Sequence, residues 1–435
     1  MVDDRPEKAE KREKVLLLGV AAERARGEAS LEELAALVAS AGGEVVGRAL
    51  QVRDEPDPRT YAGRGKVAEA AAAAREAGAE LLVCDDELTP AQARNLEEAT
   101  GLAVLDRSGV ILDIFARRAH TREGKLQVEL AQHLYRLPRL AGRGTSLSRL
   151  GGGIGTRGPG ETKLEADRRA VRERVAHLRR ELAEVRRQRE QQRSLRRRAA
   201  LPVAVLVGYT NAGKSTLRAA LLARFAAGQP AEAEPAGNPR LFDTLDPTTR
   251  RLKLPGGQEI LLTDTVGFVR KLPHTLVAAF RATLEEVAAA DLIVHVLDAA
   301  DPAREEQMEA VRAVLAEIGA LERPSLLVAN KVDLLADPYA LVVPPGALPV
   351  SARTGEGVEQ LAAAMERALS ESRVRARFVV PYNRGELLAL LHSRGKVLEE
   401  RYTAEGTELE IEMEDWLAGR IAAALVPAPL RGGRR

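Results

Sequence analysis

Residues 208–215 read Gly-Tyr-Thr-Asn-Ala-Gly-Lys-Ser, a complete G-x-x-x-x-G-K-[ST] pattern. An apolar run from Val203 to Val207 precedes it, and Thr216 to Leu222 reads as a helix. A strand, a glycine-rich turn and a helix in that order aim backbone N–H groups at an anion, with the positive end of the helix behind them. Gly208 and Gly213 let the main chain curl close to the ligand. The stretch Gly208, Tyr209, Thr210, Asn211, Ala212, Gly213, Lys214, Ser215 and Thr216 is therefore a candidate cradle for a phosphate chain. Lys214 would reach the β- and γ-phosphates, and the Ser215 hydroxyl would ligate Mg²⁺.

Further pieces follow at strand ends. Ile260 to Leu262 runs into Asp264-Thr265-Val266-Gly267-Phe268. Asp264 would hold the magnesium through the ion's shell, and the Gly267 N–H would contact the γ-phosphate. A strand over 291–298 precedes Leu326 to Ala329, which ends in Asn330-Lys331-Val332-Asp333. The Asp333 carboxylate can accept from guanine N1 and N2, a pair of donors that adenine lacks. Asn330 would tie loops together, and the Lys331 stem would cover the base. Ser351-Ala352-Arg353 closes another strand, with the Ala352 N–H placed to donate to guanine O6. These spacings point to guanine nucleotide binding and hydrolysis, with Lys214 and Gly267 acting on the transferred phosphoryl group. Phe268 stands where related enzymes carry a glutamine that orients water, so unassisted hydrolysis is expected to be slow.

The elements that must position these groups divide the 435 residues into several domains. A charged tail (1–13) precedes an α/β domain (14–115) of strands and helices in alternation, which predicts a parallel sheet. Within it, helices are expected over 31–41, 66–77 and from Thr89-Pro90, and Gly63-Arg64-Gly65-Lys66 reads as a turn before a helix rather than a second phosphate loop. A helical arm (116–200) has a helix over 126–134, a glycine-rich loop with Arg149, Arg157 and Lys163 (142–163), and a long heptad-like helix that suggests a hairpin or coiled coil. The nucleotide-binding domain spans 201–373. A small α+β domain (374–430) and a basic tail (431–435) follow. The fold class is multidomain α/β, with a P-loop GTPase domain built on a Ras-like doubly wound sheet.

Composition excludes other classes. Apolar residues make up 45% and charged residues 29%, as in globular chains, and the net charge of +2 leaves nucleic-acid affinity to local patches such as the arginine-rich arm. One cysteine, Cys84, precludes an internal disulfide and suits a reducing cytoplasm. No apolar run is long enough to span a membrane. The six histidines lack ligand spacing, so no zinc site is expected.

The chain resembles the HflX-family GTPases over nearly its whole length. The resemblance rests on Gly152-Gly153-Ile154-Gly155-Thr156-Arg157-Gly158-Pro159-Gly160-Glu161-Thr162-Lys163, on Asp113 to Ala116, on Arg122 to Ala131 and on Thr244-Leu245-Asp246-Pro247-Thr248. It implies a bacterial, monomeric, cytoplasmic protein that binds GTP and GDP, engages the large ribosomal subunit and splits stalled ribosomes under stress, with the arm probing rRNA. It also implies Thr248 as a switch threonine on Mg²⁺ and Asn211 as a residue that helps hold K⁺ against the phosphates. The segment Gly228 to Pro239 departs from the family pattern. A GTPase of ribosome assembly or RNA modification, and a non-hydrolysing RNA-binding protein, are the alternatives that the residues leave open.

Overall fold

The computed structural model describes residues 12–140, 163–198, 201–226, 241–242, 248–271, 286–335, 344–371 and 373–425. The expected glycine-rich loop up to residue 162, the 228–239 segment, the motif residues 244–247 and both charged tails lie outside them. The described residues form two compact units. One holds those up to Ala183 together with Leu241, Phe242 and Lys271, and the other holds the rest.

The first unit is built on β1 (Lys14–Ala21), β2 (Glu44–Val52), β3 (Leu81–Cys84) and β4 (Ala103–Asp106), in the order β2-β1-β3-β4 and parallel throughout. Val15 to Leu18 and all of β3 are buried, which fits strands covered on both faces by crossover helices. Those helices are α1 (Arg24–Ser40), α2 (Arg64–Ala77), α3 (Pro90–Thr100) and α4 (Arg107–Arg118). Thr89 and Gln92 cap α3 reciprocally, and Gly63 caps α2, so the glycines at 63 and 65 serve a helix start.

Several helices differ from expectation. Helix α1 begins at Arg24 rather than Leu31 and runs through Gly27, where a Cβ would lie 2.6 Å from Leu50 Cδ1. The Leu50 methyls of β2 come close to the helix at this glycine. Helix α4 had no sequence signal of its own; the Asp106 carboxylate starts it by accepting from the Gly109 N–H at 3.0 Å. Arg107 at its first turn is 1% exposed and donates to Asp85 Oδ1 at 2.7 Å and to the Ser30 carbonyl at 3.1 Å. Lys271 completes this cluster, 2.8 Å from Asp85 and 2.5 Å from Asp86. Burial opposes ionisation of Asp85, but Arg107 and Lys271 outweigh it and hold the carboxyl below its usual range.

Helix α5 (Arg122–Arg139) is longer than the 126–134 expected. Helix α6 (Lys163–Arg198) has 36 residues, about 54 Å of continuous helix. Val175, Leu178 and Leu182 of α6 are buried, and Arg174 donates to Glu129 of α5 at 2.7 Å.

In the second unit β5 (Val203–Gly208) lies inside a six-stranded sheet ordered β10-β9-β8-β5-β7-β6, comprising β6 (Thr248–Lys253), β7 (Glu259–Asp264), β8 (Leu292–Asp298), β9 (Ser325–Asn330) and β10 (Leu348–Pro349). All pairs are parallel except β6 with β7. Helix α7 (Lys214–Phe225) and helix α9 (Val358–Glu371) share a core with the sheet through Leu217, Leu221, Leu361 and Met365, while α8 (Arg304–Glu317) lies between β8 and β9 in the chain. The carboxyl ends of β5, β7 and β9 carry candidate residues, at the edge where open α/β sheets bind ligands. The same unit holds β11 (Arg373–Val380), α10 (Gly385–Arg394), β12 (Lys396–Thr403), β13 (Gly406–Glu414) and α11 (Asp415–Leu425), whose antiparallel sheet has β13 in the centre. Among the described residues no helix is long and apolar enough to cross a membrane.

His295 sits inside β8 at 8% exposure. Burial, then Arg312 and Lys214, push its pKa down to about 4. The unfolded chain therefore binds a proton that the native chain refuses between the ordinary histidine value and about 4. The stability is fully present above the ordinary value and is lost as pH falls through the lowered one, on the order of 3 kcal/mol in all. Chemical denaturation at pH 7 and pH 4.5 should show His295→Gln losing less stability on acidification than the wild type. Parallel losses in the two proteins would show that His295 does not set the acid limb.

Candidate functional site

The turn after β5 takes its shape from two glycines at positive φ, Gly208 at 152° and Gly213 at 90°. A methyl group on Gly208 would overlap the Val296 carbonyl oxygen, and one on Gly213 would overlap Asn330 Nδ2. The loop thus lies against β8 on one side and the end of β9 on the other. Lys214, 6% exposed, donates to the carbonyls of Gly208 at 3.0 Å and Tyr209 at 2.8 Å. Burial pushes its pKa down to about 8, opposed by the Asp264 charge. Thr210 Oγ1 is buried and has no hydrogen-bond partner among the described residues. Asn211 is exposed with φ of 62°, and Thr216 is half-buried on α7.

The loop is joined to the Asp264–Phe268 segment by backbone hydrogen bonds. The Thr210 N–H donates to the Phe268 carbonyl at 2.7 Å, and the Phe268 N–H donates to the Gly208 carbonyl at 3.1 Å. The Thr210 amide, expected in the anion cradle, is therefore committed elsewhere, and its hydroxyl is the group left for a ligand. Phe268 is 3% exposed, a packed side chain. A Cβ on Gly267 would lie 2.7 Å from Thr210 Cγ2 and 3.0 Å from Lys214 Nζ, so only glycine fits between the two.

Antiparallel pairing of β6 with β7 sets Thr248 directly opposite Asp264. Ser215 Oγ donates to Asp264 Oδ2 at 3.1 Å, so the expected magnesium set, Ser215, Thr248 and Asp264, is brought together. Its donors are hard oxygens, the chemistry that suits Mg²⁺. Sequence reasoning missed Arg218, which donates to Thr248 Oγ1 and lies 3.3 Å from Asp264 Oδ2. Spacing carried a signal for it, because Ser215 and Arg218 are three apart on one helix face. Arg250 and Arg251, the arginines nearest in sequence to Thr248, are exposed on β6.

On the base side Asn330, 1% exposed, donates to the Ala212 carbonyl at 2.8 Å and accepts from the Ala352 N–H at 3.0 Å. It ties three loops together. The Ala352 amide, expected to serve guanine O6, is occupied by this bond. Lys331, at φ of 65°, pairs with Asp298 at 2.7 Å, a carboxylate that sequence reasoning left without a role. Asp333 accepts from Ser351 Oγ at 2.6 Å and pairs with Arg353 at 2.6 Å, which orients both carboxylate oxygens.

Comparison with known proteins bears on the family of the chain. Residues 203–331 match the family described as 50S ribosome-binding GTPase, residues 28–116 the GTP-binding GTPase N-terminal family, and residues 118–196 the GTP-binding GTPase middle region. The GTPase HflX of Caldanaerobacter subterraneus subsp. tengcongensis is 46% identical over 389 residues, covering 89% of this chain and 88% of that protein. The GTPase HflX of Lacrimispora saccharolytica is 47% identical over 399 residues, covering 91% and 92%. The GTPase HflX of Escherichia coli K12 is 44% identical over 394 residues, covering 89% and 90%. With such identity sustained across both units and the arm, the chain belongs to the HflX family of GTPases.

Proposed function

We propose that this GTPase binds the large ribosomal subunit in the cytoplasm and splits stalled ribosomes under stress, as a monomer whose arm probes rRNA. The observation that carries the reading is the match of residues 203–331 to a family described as 50S ribosome-binding. The phosphate loop supports GTP and GDP binding through the backbone from Gly208 to Thr216, with Lys214 on the phosphates and Gly267 beside them. Asn330, Lys331, Asp333, Ser351, Ala352 and Arg353 form the base pocket. Ser215 and Thr248 would hold Mg²⁺, with Asp264 behind them, and the ion would supply charge neutralisation at the β- and γ-phosphates. Arg149, Arg157 and Lys163 would meet rRNA phosphates.

The test is a sucrose-gradient assay of ribosome dissociation, with the full chain and with residues 151–160 replaced by a Gly-Ser linker. The full chain should split ribosomes in the presence of GTP. The replaced chain should keep GTP binding, because the phosphate loop and Asp333 are untouched, and should leave ribosomes intact. Intact ribosomes with both proteins would defeat the splitting reading.

Asn211 is the residue we propose to hold K⁺ beside the phosphates. Ribosome-stimulated hydrolysis should be faster in potassium chloride than in sodium chloride at equal ionic strength, and Asn211→Ala should remove the difference. Equal rates for the unmodified protein would exclude the ion.

A further inference from the structure

Arg218 is one helical turn beyond the phosphate loop and almost wholly inside the protein, its side chain 10% exposed against a fully buried Asp264. Its guanidinium reaches Thr248 Oγ1 and Asp264 Oδ2, and the same Oδ2 accepts from Ser215 Oγ. The residues that would present oxygens to Mg²⁺ are thus already gathered around a second, permanent cation. The two cations cannot use Thr248 in the same way. The guanidinium N–H takes one of the two lone pairs of the hydroxyl oxygen, so a metal on the other would sit within a few ångströms of the guanidinium. Both cations also draw on one carboxylate, and with little water between them they repel each other.

We propose that Arg218 is a positioning residue that supplies part of the charge otherwise left to Mg²⁺, and so weakens the dependence of nucleotide retention on the ion. This rests on the reading of Ser215, Thr248 and Asp264 as the magnesium set. When Mg²⁺ is scarce, Arg218 keeps Thr248 and Asp264 together near the phosphates and contributes a positive charge there. When Mg²⁺ is plentiful, the metal and the guanidinium repel each other across Thr248 and Asp264, which blunts the gain from the metal. The consequence is a nucleotide off-rate that changes less between low and high magnesium than the oxygen set alone would dictate. The reach of the arginine matters as well as its charge, because one nitrogen, Nη1, meets the hydroxyl and the carboxylate together.

The experiment measures release of a fluorescent GDP analogue from the full-length protein, once in excess EDTA and once in millimolar Mg²⁺. The readout is the ratio of the two off-rates. Arg218→Gln should raise that ratio at least about five-fold over the wild type, mainly through faster release in EDTA. Arg218→Lys, which keeps the charge but on a shorter side chain, should fall between them. Arg218→Met keeps the buried stem and reads the same ratio should the glutamine variant fail to fold. A purely structural role would speed release equally in both conditions. An unchanged ratio in the Gln or Met protein, or a Lys protein as perturbed as the neutral ones, overturns the proposal. A wild-type off-rate that ignores Mg²⁺ altogether would instead sink the magnesium reading, and the proposal with it.

Discussion

Asp333→Asn will bind GTP far more weakly than the wild type and will turn toward xanthosine triphosphate. The carboxylate offers acceptor oxygens to both donors on the guanine edge, N1–H and the N2 amino group. An amide offers one oxygen and one NH₂, so the NH₂ faces a donor and one polar group is left unpaired. That costs about 1–3 kcal/mol, roughly 5- to 150-fold in affinity. Xanthine carries an oxygen where guanine carries its amino group, and the asparagine NH₂ can donate to it. Ser351 and Arg353 hold the carboxylate in place, which limits how far the side chain can swing away to avoid the mismatch. Titration with labelled GTP and xanthosine triphosphate reads both effects. An unaltered GTP affinity would remove Asp333 from the base pocket.

The second large effect is expected at Gly213. An alanine there meets two penalties. The backbone sits at φ of 90°, a region that a side chain strains to occupy, and the new methyl overlaps the Asn330 amide. Asn330 would have to give up its 2.8 Å bond to the Ala212 carbonyl, which joins the phosphate loop to the base pocket. Strain and the lost bond together come to about 2–4 kcal/mol, roughly 30- to 1000-fold in nucleotide affinity. Gly257, also at positive φ but with open space around it, is the control. Gly257→Ala should cost stability from strain and leave nucleotide affinity unchanged. Equal losses of affinity in the two variants would mean that the Asn330 contact is not what Gly213 protects.

What could be read from the sequence follows from how each group works. A phosphate loop uses consecutive backbone amides, so its residues must be adjacent and the pattern is visible in the chain. Asn330 and Asp333 sit in a short turn at a strand end and are visible for the same reason. Arg218 was missed because its importance depends on two strands being neighbours, with Thr248 placed across from Asp264. Asp298 was missed because only the fold sets it beside Lys331. The commitments of the Thr210 and Ala352 amides are equally three-dimensional, since each donates to a residue distant in the chain. Helix α1 starts earlier than expected because its first turn, with Gly27 against Leu50, is fixed by packing on β2 rather than by apolar spacing.

The backbone bonds between Phe268 and the phosphate loop have one more consequence. They continue the strand ladder past the ends of β5 and β7, through a parallel bridge between Tyr209 and Phe268. Because main-chain atoms make the link, changing the side chain at 268 does not undo it. The amide hydrogens of Thr210 and Phe268 should then exchange with solvent as one cooperative patch, each protected by the other's strand. The rate at which that patch opens sets how often the phosphate loop and the Asp264–Phe268 segment part.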